Sequence, residues 1–271
     1  MKKTQSVYDQ LPDIRSVFPR SLDKFKDLDR AIDELVIDHS VQRFFGSKSR
    51  FFTQGSCFAE HLHNCLISKG YESHWEKWVE DINSPLALAA LFNQRASAVD
   101  PMVDLIKNCD VGIITVGVAP CWFQKSDNSF VLNNALNLRE MEGYYQRTLT
   151  VEECKQYLGS ALSTLSRFNP TIKLVLTLSP VPLARTFEFN SAVVADAVSK
   201  SVLRAAIHEL VSMYPTKLFY FPSYEVVTWL GRYRGDAYAA NGTDARHVSN
   251  FYIEAILNAF IRNYRFEEVS Q

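Results

Sequence analysis

No stretch of the 271-residue chain holds eighteen consecutive apolar residues, so no membrane-spanning helix is expected. The start, Met1-Lys2-Lys3-Thr4-Gln5-Ser6, is not followed by an apolar run of signal-peptide length. Cysteine is scarce: Cys57, Cys65, Cys109, Cys121 and Cys154 are odd in number and show neither a CxxC pair nor metal-finger spacing. That argues against a disulfide framework and fits the reduced thiols of a cytoplasmic protein. Neither sign of charge dominates, with 29 basic against 30 acidic residues and a formal net charge of −1, so no basic field points to nucleic acid. Internal repeats and low-complexity segments are absent as well.

What remains is an ordinary globular balance, 47% hydrophobic and 22% charged, enough for a sizeable core in one large domain or two small ones. Residues 1–49 carry Leu22, Phe25, Leu28, Ile32 and Leu35 at helical spacing among many charges. That pattern predicts an N-terminal helical extension packed on the main body. A partner-binding arm is the other use of such a segment.

The chain is organised around Phe51-Phe52-Thr53-Gln54-Gly55-Ser56-Cys57-Phe58-Ala59-Glu60. An aromatic, β-prone run stops at a glycine, and a helix follows with Phe58, Leu62, Cys65 and Leu66 on one stripe. Glycine tolerates positive φ and lets another backbone or a ligand come close. Ser56 then stands where the first N–H groups of a helix lack internal partners and the helix dipole is positive. A nucleophile there has an oxyanion site beside it. Serine is equally a favoured helix cap, and this stretch alone leaves both readings open.

Further along, Tyr71 to Trp75 reads as a weak second strand, and Asn83-Ser84-Pro85 as a cap with proline opening a helix. Cys109 to Gly117 and Ile172 to Leu178 are buried strands, apolar on both faces. Val131 to Arg147 shows no clean periodicity and reads as an excursion or long loop. Thr150 with Glu153 makes a capping-box pattern for a helix ending near Phe168, which Asn169-Pro170 breaks. A helix from Asp196 to Tyr214, a strand from Leu218 to Phe221, and a last helix from about Ser249 to about Phe266 complete the chain. Phe251, Ile253, Ile256, Leu257, Phe260 and Ile261 are expected to face inward there.

Strand and helix alternate about five times, which predicts an α/β fold: a doubly wound, five-stranded parallel sheet with helices on both faces. Such sheets bind ligands beyond the carboxyl ends of their strands. Ser56, Gly117, Ser179 and the loop before the last helix should therefore share one rim. That loop holds Asp244-Ala245-Arg246-His247, where a carboxylate can orient an imidazole and leave its other nitrogen facing outward. With Ser56 on the same rim, a nucleophile, a base and an orienter are all present. A helix-start carboxylate and a surface histidine are the bland alternative.

These blocks resemble the GSCFA family, a branch of the SGNH/GDSL-like hydrolases, through Gly55-Ser56-Cys57-Phe58-Ala59, Thr115-Val116-Gly117, Ser179-Pro180-Val181-Pro182, Ser199-Lys200-Ser201, Tyr220 to Glu225, and Asp244-x-x-His247-x-Ser249. The resemblance implies one three-layer α/β/α domain of flavodoxin-like, SGNH-hydrolase type over residues 1–271. It further implies a serine ester-cleaving or acyl-transferring site with Ser56 as nucleophile and the Asp244/His247 pair behind it. The GxND block of ordinary SGNH enzymes is replaced by Gly117-Val118-Ala119-Pro120, so Asn83 is taken as the substitute oxyanion amide. Cys57, Gly117 and Ser179 are expected to complete the oxyanion and substrate-binding rim. The expected substrate is a small acyl ester, such as an O-acetyl group on a carbohydrate, with no metal or organic cofactor required. The rival expectation is a catalytically silent module that binds a glycan or a protein on the same rim.

Overall fold

A computed structural model describes residues 16–55, 57–77, 83–97, 100–132, 138–238 and 245–266. The aromatic run Arg50–Gly55 is strand β1, and α2 (Cys57–Ser68) begins one residue after it, preceded in the chain by the short α1 (Leu28–Ala31). Next come β2 (Glu72–Lys77), α3 (Pro85–Ala96), α4 (Pro101–Lys107) and the fully buried β3 (Val111–Val116). Three short strands follow, β4 (Pro120–Gln124), β5 (Phe130–Val131) and β6 (Tyr144–Thr148). The chain returns to the main sheet through α5 (Val151–Phe168), β7 (Lys173–Leu178), α6 (Ala192–Met213) and β8 (Leu218–Tyr220). It ends with the short α7 (Ser223–Glu225) and α8 (Gly231–Arg234), then α9 (Asn250–Tyr264).

All pairings within the main sheet are parallel, and its strand order is β2-β1-β3-β7-β8. Side chains alternate across a strand, so consecutive residues feed opposite layers. Phe51 lies with Val111, Ile113 and Val175 in a core shared with α2 and α9. Phe52 joins Ile114, Leu174 and Leu176 in a second core under α3, α5 and α6. The fold is thus the expected three-layer, doubly wound α/β/α arrangement. The order steps from β1 out to β2 and then back across β1 to β3, so the reversal falls between β1 and β3. That switch point is where such sheets open a ligand crevice at their carboxyl ends.

The caps follow the sequence chemistry. Ser84 accepts from the Ala87 N–H with Pro85 in the first turn of α3, and Thr150 with Glu153 forms the reciprocal capping box of α5. The apolar residues of the N-terminal segment do pack inward, with Phe25, Leu28 and Ile32 buried in the α2/α9 core, although Leu22 is exposed. That segment is a 3₁₀ turn, α1 and a π-helical turn rather than one continuous helix.

Two expectations are corrected. Part of the supposed excursion is ordered as a three-stranded antiparallel sheet, β5-β4-β6, while residues 133–137 lie outside the described residues. In α9 it is Tyr252, not Phe251, that faces the core: Phe251 is 53% exposed, whereas Tyr252 is fully buried. The Tyr252 hydroxyl donates to Asp236 Oδ1 across 2.9 Å, so the polar tip of a buried ring finds its partner in a carboxylate at the surface.

Candidate active site

Gly55 closes β1 with a φ of +140°, a conformation that side chains other than glycine rarely adopt. A Cβ there would stand 2.6 Å from the Thr115 carbonyl oxygen and 2.8 Å from the Thr115 Cβ. The strand end is therefore pressed against β3 in a way that admits no side chain. α2 begins at Cys57, so by sequence a single residue, Ser56, joins strand to helix. Ser56 itself and the Cys57 side chain lie outside the described residues.

Asn83 reaches the same spot from the segment before α3. It is buried, and its amide satisfies its surroundings in one orientation: the nitrogen donates to the Thr115 carbonyl across 2.6 Å and the oxygen accepts from the Gly117 N–H across 3.2 Å. Its backbone carbonyl accepts from both the Gly117 N–H (3.0 Å) and the Val118 N–H (3.1 Å). A Cβ on residue 117 would fall 2.5 Å from the Asn83 amide atom that faces it, the oxygen in this orientation, so glycine there makes room for the amide. Gly55 and the Asn83 amide thus both crowd the Thr115 carbonyl. The structure brings Asn83, Gly55 and Gly117 together at the switch point. It also engages the Gly117 N–H with Asn83, so this glycine supplies space and no open donor in this arrangement.

Among the described residues, polar atoms without partners border the strand end: Thr53 Oγ1, Gln54 Oε1 and Thr115 Oγ1 are all buried and unbonded. Gln54 Nε2 donates to Glu76 across 3.3 Å, and Glu76 also receives Arg95, which pairs with Asp100 at 3.1 Å. A buried amide oxygen and two hydroxyls left unpaired beside a strand end cost stability, as functional sites often do.

At the carboxyl end of β7, Ser179 is buried, donates its N–H to the Val116 carbonyl at 2.8 Å and accepts from the Val181 N–H with its hydroxyl at 3.3 Å. It shapes the strand exit. The Tyr238 hydroxyl donates to the next carbonyl, Pro180, across 2.9 Å. Tyr238 in turn forms an isolated antiparallel bridge with Val248, and the Ser249 N–H donates to Ala237 at 2.8 Å. The segment bearing His247 is therefore anchored over the carboxyl end of β7, and His247 is solvent-exposed. Asp244 lies outside the described residues.

The Ser199-Lys200 pair has a placement that helical spacing gave no reason to expect. Ser199 Oγ accepts from the Ala119 N–H at 2.9 Å. Lys200 is 1% exposed; its Nζ donates to the Gly117 carbonyl at 2.7 Å and the Val181 carbonyl at 2.9 Å, with Asp196 Oδ1 at 4.0 Å. Burial pulls its ammonium down to about 8, and Asp196 opposes that shift. Among the described residues, no group of three or more His, Cys, Asp or Glu side chains could hold a metal ion. No helix among them is long and apolar enough to cross a membrane.

The solved structures that this chain resembles include one from Parabacteroides merdae described as a GDSL-like lipase. The match has a TM-score of 0.52 at 10% identity and covers 82% of this chain and 98% of that one. At that identity the likeness concerns the fold. The periplasmic domain of a lipopolysaccharide acetyltransferase from Salmonella ser. Paratyphi A aligns at a TM-score of 0.39 and 12% identity, over 88% of each chain. No curated protein matches the chain. The model of the GSCFA family matches residues 84–260, more than half of the sequence, and the protein belongs to that family.

Proposed function

We propose that the protein is a serine-dependent esterase or O-acyltransferase acting on a small acyl ester, such as an O-acetyl group on a carbohydrate. Ser56 Oγ attacks the acyl carbon while His247 takes its proton, and the histidine returns that proton to the leaving alkoxide. Asp244 orients the imidazole and stabilises its charged form. The resulting acyl-enzyme is cleared by water or by an acceptor hydroxyl, giving hydrolysis in the first case and transfer in the second. Oxyanion donors are the Ser56 N–H and the Asn83 amide, whose nitrogen keeps a second N–H beyond the one on the Thr115 carbonyl.

The observation that carries this reading is the end of β1 at the switch point, where positive φ and crowding admit only glycine. It is followed after one residue by a twelve-residue helix, with a buried amide on the same carbonyl. A structural cap needs none of that crowding. A second reading, a silent glycan- or protein-binding module, is favoured by one fact: the Gly117 and Val118 N–H groups are both spent on Asn83, which leaves fewer donors for an oxyanion.

Hydrolysis of p-nitrophenyl acetate, butyrate and longer esters separates the two. An enzyme turns over the short esters and loses that activity in Ser56→Ala and His247→Ala, and Asn83→Ala costs ~10²–10³ in kcat, the loss typical of one oxyanion donor. Wild-type rates equal to those of Ser56→Ala would leave the binding module standing. Transfer to an added sugar acceptor in place of hydrolysis identifies an acyltransferase.

A further inference from the structure

Lysine on a helix normally keeps its head in water, and a buried ammonium is costly unless it gains something specific. Lys200 spends its donors on two backbone carbonyls, Gly117 after β3 and Val181 after β7, so one ammonium joins the exits of two neighbouring strands. The Gly117 carbonyl belongs to the same peptide unit as the Val118 N–H, and that N–H donates to the Asn83 carbonyl at 3.1 Å. A positive charge on the oxygen end of a peptide strengthens the donor at its other end. The relay therefore runs from the Lys200 ammonium through the Gly117–Val118 peptide to Asn83, whose side chain lies on the Thr115 carbonyl against Gly55. Ser199, one residue earlier on α6, fixes the following residue of the same loop through the Ala119 N–H.

We propose that Lys200 is a positioning residue for acyl transfer: its ammonium locks the Gly117–Val118 peptide, and through it holds the Asn83 amide where the oxyanion develops. This rests on the serine-esterase reading given above. Lys200 touches no substrate, and its effect belongs to kcat and not to binding, because an oxyanion exists only in the transition state.

The test combines kinetics with a readout that does not need activity. In amide-detected NMR of the wild-type protein, the Val118 N–H and the Asn83 side-chain NH₂ resonances should titrate together with a midpoint near 8, following Lys200. Beside that ammonium stands the Asp196 carboxylate, and of the groups facing Asp196, burial pushes Tyr224 upward and Tyr238 to about 12, out of that range. Lys200→Met and Lys200→Arg should both abolish the titration. The methionine variant should lower kcat for a short ester ~10- to 100-fold with KM changed less than about threefold, a misplaced donor costing less than a deleted one. Arginine keeps a charge and should restore part of the loss if it folds. Loss of kcat in Lys200→Met with the Val118 N–H and Asn83 side-chain resonances unchanged from wild type would overturn the proposal. If wild type itself lacks esterase activity, the serine reading fails, and the NMR arm still decides whether Lys200 holds Asn83.

Discussion

Gly55 sets the strictest condition on any substitution at the rim. Alanine there would need a φ near +140° and would drive its Cβ into the Thr115 backbone, which cannot swing aside as a side chain could. Gly55→Ala is expected to lower the unfolding free energy on the order of 1–3 kcal/mol, the usual cost of such a strained residue. Urea unfolding reads the loss, and an unchanged midpoint would show that β3 yields freely. The need for glycine at this point is visible in the sequence, because a β-prone run ending in Gly-Ser has few other uses. Asn83 is half visible: its amide suggests an oxyanion donor, but nothing local shows that its own carbonyl absorbs the Gly117 N–H from beyond α3, α4 and β3. Lys200 is the opposite case. A lysine within an amphipathic helix reads as solvated, and only the packing of α6 over the exits of β3 and β7 turns it inward.

At the level of elements, the start of α5 holds a strongly ionic cap. Glu153 completes the box with Thr150 and also pairs bidentately with Arg147 of β6, at 2.9 and 2.7 Å. The Arg147 guanidinium holds the Glu153 carboxyl down at about 2 against its ordinary 4.5. A depressed carboxylate stabilises the fold above the unfolded value and loses that contribution as pH falls through the folded one. Glu153→Gln keeps an oxygen for the capping box but should cost about 1–2 kcal/mol at neutral pH, consistent with loss of the charge-assisted bidentate pair. The gap to wild type should close as pH falls from about 4.5 to about 2. Thermal melts across that range check it, and a constant gap would contradict the assignment. The capping box is readable from Thr150 and Glu153 alone. The β4–β6 sheet beside it is not, because β5 has two residues and β4 and β6 five each, too short for alternation to stand out. Phe251 departs from expectation for a related reason: a shift of one position on α9 exchanges an aromatic that covers the surface for Tyr252, whose ring is buried and whose hydroxyl reaches the exposed Asp236.

For the whole molecule, the alternation of strands and helices makes the layers and the parallel sheet readable. It also places Gly55, Gly117, Ser179 and the His247 segment on one rim. Whether the N-terminal segment folds with the rest was less readable, because charges punctuate it. In the structure Ile32 is fully buried in the core shared with α9, and Arg262 of α9 donates to Asp33 at 2.7 Å. Ile32→Ala should destabilise the whole chain by about 2–4 kcal/mol in a single transition, as expected for an aliphatic truncation in a shared core. A melt with no shift, or a separate early transition, would make residues 16–49 an independent arm. The proposed chemistry requires Ser56, after β1, to meet His247, before α9, on one rim. Intact-mass analysis after treatment with a fluorophosphonate tests it most directly. One adduct is expected on the wild-type chain, mapped to Ser56 by peptide sequencing and lost in both Ser56→Ala and His247→Ala. A wild-type chain that stays unlabelled, or an adduct that persists in Ser56→Ala, would contradict it.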